Sequence, residues 1–134
     1  MNINEYEQSV FEAFKTYMDE ACLMPDFMDP DYNYNEADFN SVFEDAEPYV
    51  SGADNGSYHC DRFAAQEALT GIIFDSEFHD LLAPYEYDAV PSFYRAIQSN
   101  DPETADVIAR EIIYYSMWDE IKKWLENEIG RELN

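Results

Sequence analysis

Apolar side chains recur at three- and four-residue steps along most of this chain, the spacing of one face of a helix. From about Asn4 to Met24 the stripe is Val10, Phe11, Phe14, Tyr17, Met18 and Ala21, and Pro25 is expected to end that helix. Asp26 to Asn35 mixes Asp, Pro, Asn and Tyr and reads as a loop. Asn35 can cap a second helix by accepting from the N–H groups of its first turn. That helix carries Phe39, Val42 and Phe43 and is expected to stop at about Glu47, ahead of Pro48. Ser51 to Ser57, with Gly52, Asn55 and Gly56, reads as another loop.

Asp61 is placed to cap a third helix with Phe63, Ala64, Ala68, Leu69, Ile72 and Ile73 as its apolar stripe. Two short helices follow at Ser76 to Ala83, ended by Pro84, and at Ala89 to Gln98. The strongest pattern is the last. Asp101 is a good cap, Pro102 suits the first helical position, and Val107, Ile108, Ile112, Tyr115, Trp118, Ile121, Leu125 and Ile129 share a side as far as Gly130. At ~1.5 Å per residue this helix would be on the order of 40 Å long. No segment alternates as a strand does. The expected fold is all-α, a single domain over residues 1–134 built around that long C-terminal helix.

Charge changes the picture most. Thirty Asp and Glu face seven Lys and Arg, a formal net charge of −23 over 134 residues. Duplex DNA carries one negative charge per ~1.7 Å of axis, so the same number of charges would cover roughly 39 Å of duplex. Solubility alone can favour such an excess. Disorder is disfavoured by eleven Tyr, nine Phe and two Trp, because disordered acidic chains are poor in aromatics. Nucleic acid and anionic membranes would both be repelled, which leaves a basic protein as the natural partner.

The acids are unevenly placed. Between Met24 and Asp61 lie Asp26, Asp29, Asp31, Glu36, Asp38, Glu44, Asp45, Glu47, Asp54 and Asp61, with no Lys or Arg. Phe27, Tyr32, Tyr34, Phe39, Phe43 and Tyr49 interleave with them and should hold the carboxylates against a core. These ten acids are the candidate partner-binding residues, standing in for phosphates. Six of the seven basic residues follow Cys60, and Tyr114, Trp118 and Trp124 lie among them. That less acidic half is the expected contact of a homodimer, since Tyr and Trp are enriched at interfaces.

Other chemistry is nearly present and incomplete. Asp29, Asp31, Asn33 and Asn35 occupy calcium-loop positions, but Tyr34 replaces the turn glycine and Asn40 the bidentate glutamate. His59 beside Cys60 and His79 beside Asp80 are the His-based candidates for catalysis, and neighbours in sequence rarely face each other. No zincin, phosphate loop or nucleophile elbow occurs. Cys22 and Cys60 lack paired spacing. We therefore expect no enzyme activity, no cofactor and no bound metal. No stretch approaches the ~20 apolar residues that cross a bilayer, and Met1 to Glu5 lack the regions of a signal peptide, so the expected compartment is the cytoplasm.

Between residues 89 and 128 the chain resembles the Ocr family of phage anti-restriction proteins. The resemblance rests on Ala89-Val90-Pro91 with Phe93-Tyr94, on Pro102, Thr104 and Asp106-Val107-Ile108, and on Trp118-Asp119 leading to Trp124-Leu125-Glu126-Asn127-Glu128. Val42-Phe43-Glu44-Asp45-Ala46 is similar to an earlier stretch of that family. It implies an all-helical homodimer whose carboxylates imitate the phosphates of bent DNA and occupy the DNA groove of type I restriction–modification enzymes in the host cell. The chain departs from the family by ending Gly130-Arg131-Glu132-Leu133-Asn134, without a run of acids, and by a longer, Tyr-richer first 60 residues. The expected function is a DNA-mimic inhibitor of a host defence enzyme. The alternative is an immunity-type, antitoxin or anti-CRISPR inhibitor of one basic protein.

Overall fold

The computed structural model describes residues 3–51, 63–73 and 90–134, and the helices found there account for every regular element among them. Helix α1 spans Ile3–Glu20. It stops where Cys22 turns left-handed, at φ 55°, after Ala21 and Cys22 donate to the carbonyls of Tyr17 and Asp19. Pro25 does not end it. That proline lies in the first turn of α2, Leu23–Met28, where an N–H would have no intrahelical acceptor anyway.

Helix α3, Glu36–Ser51, opens as the sequence suggests. Asn35 Oδ1 accepts from the N–H groups of Ala37 at 2.9 Å and Asp38 at 3.3 Å, while Asp38 Oδ2 accepts from Asn35 N–H at 2.7 Å. This is the reciprocal logic of a capping box. The helix then runs through Pro48 instead of stopping at Glu47. Pro48 and Glu44 both face solvent, so the carbonyl that loses its donor lies on the side where the loss costs least.

Helix α4 is Ala64–Ile73 and α5 is Val90–Gln98. The caps inferred at Asp61 and the helix at Ser76 to Ala83 fall outside the described residues, as do His59, Cys60, His79 and Asp80. The start of α4 is instead secured from far along the chain. Asp106, 1% exposed, accepts from Gln66 N–H at 3.2 Å and pairs through its other oxygen with Arg110. Gln66 is the third residue of its helix, one of the donors a helix start leaves unmatched.

The long C-terminal helix is two helices, α6 at Pro102–Ser116 and α7 at Trp118–Ile129. The break has a local cause. Ser116 Oγ donates to Ile113 O at 2.6 Å, the carbonyl that Met117 N–H would use in a continuous helix, and Met117 bonds Tyr114 O instead. Such side-chain competition loosens helix interiors. Asp119 and Glu120 then favour a new N-terminus through its positive dipole end. The outer ends match the sequence: Asp101 accepts from Thr104 N–H with Pro102 following, and Gly130 closes α7 at φ 76°.

Helix α6 is the hub, touching α1, α3, α4 and α5, while α7 folds back on α2 and α6. A seam of rings joins α1, α3 and α6: Phe14 lies 6.1 Å from Phe43, and Phe43 stacks on Tyr114 at 4.2 Å with planes 10° apart. Burying such rings stabilises by about 1.5–3 kcal/mol each relative to leaving them exposed.

Candidate protein-docking surface

The inward faces of α1, α3 and α6 are apolar, so their acids are driven outward. Among the described residues, Asp106 is the buried acid. Its partner Arg110 neutralises it, and replacing either alone would leave a buried charge.

Tyrosines mark where carboxylates from different helices converge. Tyr115 of α6 ionises above its usual range because it is partly buried and because Glu47, Glu44 and Glu111 surround it. Burial and then Asp45 do the same to Tyr17 of α1. Tyr49 of α3 is raised by burial and by a hydrogen bond to the Glu20 carboxylate. Tyr17 of α1 packs on Tyr49 of α3 at 5.6 Å and Tyr115 of α6 on Phe43 of α3 at 5.8 Å, so the acids acting on these tyrosines, Asp45 and Glu20 at the first contact and Glu44, Glu47 and Glu111 at the second, come from packed helices. The result is an acidic ridge built from three helices. Glu20, Glu44, Asp45 and Glu111 are exposed along it.

Lys122, Lys15 and Arg131 are engaged with groups other than the ridge carboxylates. Lys122 bonds Glu36 at 2.9 Å, which raises its pKa, and lies 5.1 Å from the Trp118 ring centre. Lys15 sits over Phe11 at 4.6 Å and near Glu12, while Arg131 donates to Phe27 O at 3.2 Å. Among the described residues no ion pair involves Glu44, Asp45 or Glu111.

The ten candidate carboxylates therefore have different roles. Glu44, Asp45 and Glu47 lie on the ridge. Asp26, Asp29, Asp31 and Asp38 surround the turn between α2 and α3, where burial and the charges of Asp26 and Asp38 raise the pKa of Tyr34. Asp38 also caps α3, and Asp29 Oδ1 accepts from Asp31 N–H at 2.9 Å. Glu36 is tied to Lys122. Asp54 and Asp61 lie outside the described residues. Glu20 and Glu111 belong to the ridge although they lie outside the sequence block. Only helix-to-helix packing brings them there.

Of the three rings expected at a subunit contact, Tyr114 is taken up inside the chain. Tyr114 is fully buried and its hydroxyl donates to Phe43 O at 2.6 Å, so it cannot meet a partner. Trp118 packs edge-on to Phe39 at 5.6 Å and donates to Asn40 Oδ1, and Trp124 packs against Phe11 at 5.7 Å. Both remain half-buried. Their aromatic character was legible in the sequence; their partners, on helices far away in sequence, were not.

No helix among the described residues is long and apolar enough to cross a membrane. No protein family, curated protein or solved structure matches the chain. The likeness to the anti-restriction family thus rests on the short stretches quoted above.

Proposed function

We propose that this protein inhibits a DNA-binding defence enzyme by occupying its basic groove in place of duplex DNA. The observation that carries the reading is the ridge: exposed carboxylates of α1, α3 and α6 on packed helices, with Glu44, Asp45 and Glu111 in no ion pair among the described residues. A rigid array spends little ordering entropy on binding, which favours affinity. Long-range attraction would speed encounter, and contacts to Lys and Arg would then set the fit. No reacting group is needed, so the action is inhibition by occupancy. The anti-restriction resemblance adds the type I restriction–modification enzyme as the first to test.

The test is displacement of a fluorescent duplex from that enzyme. Stoichiometric displacement that weakens steeply between about 50 and about 200 mM salt is expected. Binding that proceeds equally well on a DNA-saturated enzyme would refute groove occupancy. Charge reversal at Glu44 and Asp45 together should weaken displacement more than reversal at Glu5, which lies at the other end of α1.

A further inference from the structure

Three large apolar side chains are exposed among the described residues, and two of them share one turn. Met28 is 57% exposed at the end of α2, and Tyr32 is 56% exposed four residues later. The turn is fixed. Asp31 and Tyr32 donate to the side chain and carbonyl of Asp29, at 2.9 and 3.2 Å. Tyr32 stacks on Tyr34 at 5.7 Å, and Tyr34 meets the fully buried Phe27 edge-on at 4.9 Å. A ladder of three rings thus runs from the core to the surface and ends in a tyrosine facing solvent. Arg131 holds the base of the ladder through Phe27 O.

We infer that Met28 and Tyr32 form an apolar anchor that enters a hydrophobic socket on the partner, bordered by the partner's Lys or Arg. This rests on the groove-occupancy reading and adds to it a contact that DNA does not make in the same way. Charge decides the occupant. Asp29 and Asp31 flank the two side chains, no Lys or Arg occurs between Leu23 and Ser51, and Arg131, which reaches the turn from the C-terminus, is bonded to Phe27 O. A second copy of this chain would meet like charge there, and nucleic acid would be repelled. A basic protein surface meets complementary charge. Aromatic anchors, Tyr among them, are where binding energy concentrates in protein interfaces. The anchor also explains selectivity among basic grooves, because carboxylate contacts alone would serve any of them.

The experiment measures duplex displacement from the type I restriction–modification enzyme by wild type, Met28→Ala/Tyr32→Ala, Asp31→Asn and Val107→Ala, across salt. Val107, the third exposed apolar residue, lies on α6 and serves as the control. The double substitution should weaken binding by about thirtyfold at every salt concentration with the salt dependence unchanged. Val107→Ala should bind as wild type. Asp31→Asn should reduce the salt dependence. Wild-type displacement matched by the double substitution overturns the anchor and leaves groove occupancy standing; failure of the wild type to displace duplex overturns both. Binding of the wild type to neutral phosphatidylcholine vesicles, lost with Met28 and Tyr32, would assign the turn to a membrane and overturn the protein socket.

Discussion

Replacing Tyr114 by Phe removes a single hydroxyl from the centre of the molecule, and two separate effects follow. The hydroxyl donates to Phe43 O at 2.6 Å and has no solvent exposure. Losing a buried hydrogen bond while the acceptor keeps a helical partner should cost about 1–2 kcal/mol. For a chain of this size that is a fall of roughly 3–8 °C in melting midpoint. The second effect depends on pH. Burial holds the Tyr114 hydroxyl far above the usual phenol value, with smaller contributions from Tyr115, Glu47 and Tyr17. Above that usual value, near 10, the unfolded chain sheds a proton that the folded chain keeps. Wild-type stability from this group is complete below pH ~10 and falls by about 1.36 kcal/mol for each further pH unit. The Phe variant has no such loss. It should therefore be the less stable protein near neutrality, equal to wild type about one pH unit above 10, and the more stable beyond. Urea unfolding followed by far-ultraviolet circular dichroism across that range measures the crossing. A stability difference that stays constant with pH would show that Tyr114 titrates alike in both states and would refute the buried-hydroxyl argument.

Three further outcomes are expected. Asp106→Ala should cost about 3–5 kcal/mol by breaking the buried pair with Arg110 and removing the acceptor at the start of α4, and Asp106→Leu with Arg110→Met should recover much of it in urea titrations. Gly130→Ala should cost about 1 kcal/mol, since φ 76° is strained for a side chain although a Cβ there meets no atom within 4 Å; an unchanged melting midpoint would contradict this. Raising salt should raise the wild-type melting midpoint, because screening relieves repulsion among the ridge carboxylates; a midpoint that falls would show that attractive pairs dominate.

What the sequence made legible was local. Asn35, Asp101 with Pro102, and Gly130 each act within a turn of themselves, so residue chemistry alone located those helix ends. The apolar stripe of α1 was readable, because burial imposes the helical period; that of α6 was not, since Val107 faces solvent while Ala105, Asp106, Ala109 and Ile113 are buried. The failures share a different cause. Pro25 and Pro48 are tolerated where the lost donor costs little, which depends on position within the helix and on which side faces water. The break at Met117 depends on a rotamer of Ser116, invisible in a continuous stripe. The ridge was half legible: Glu44, Asp45 and Glu47 stand in the acidic block, but Glu20 and Glu111 join it only after three helices pack. Nothing in the sequence marked Asp106 as buried, since its partner Gln66 lies 40 positions away.

The bond from Asp106 to Gln66 has a consequence for the order of events on the ribosome. The two residues are 40 positions apart. At about 5–20 residues per second, the start of α4 leaves the synthesis site roughly 2–8 s before its cap exists. Helix growth is complete within microseconds, so α4 must wait as a frayed, reversible segment, and the α4–α6 layer closes only after the C-terminal third arrives. Until then the ring seam of α1 and α3 also lacks Tyr114. A nascent chain halted before Asp106 should remain protease-sensitive at both places, which makes this protein one that commits to its structure late.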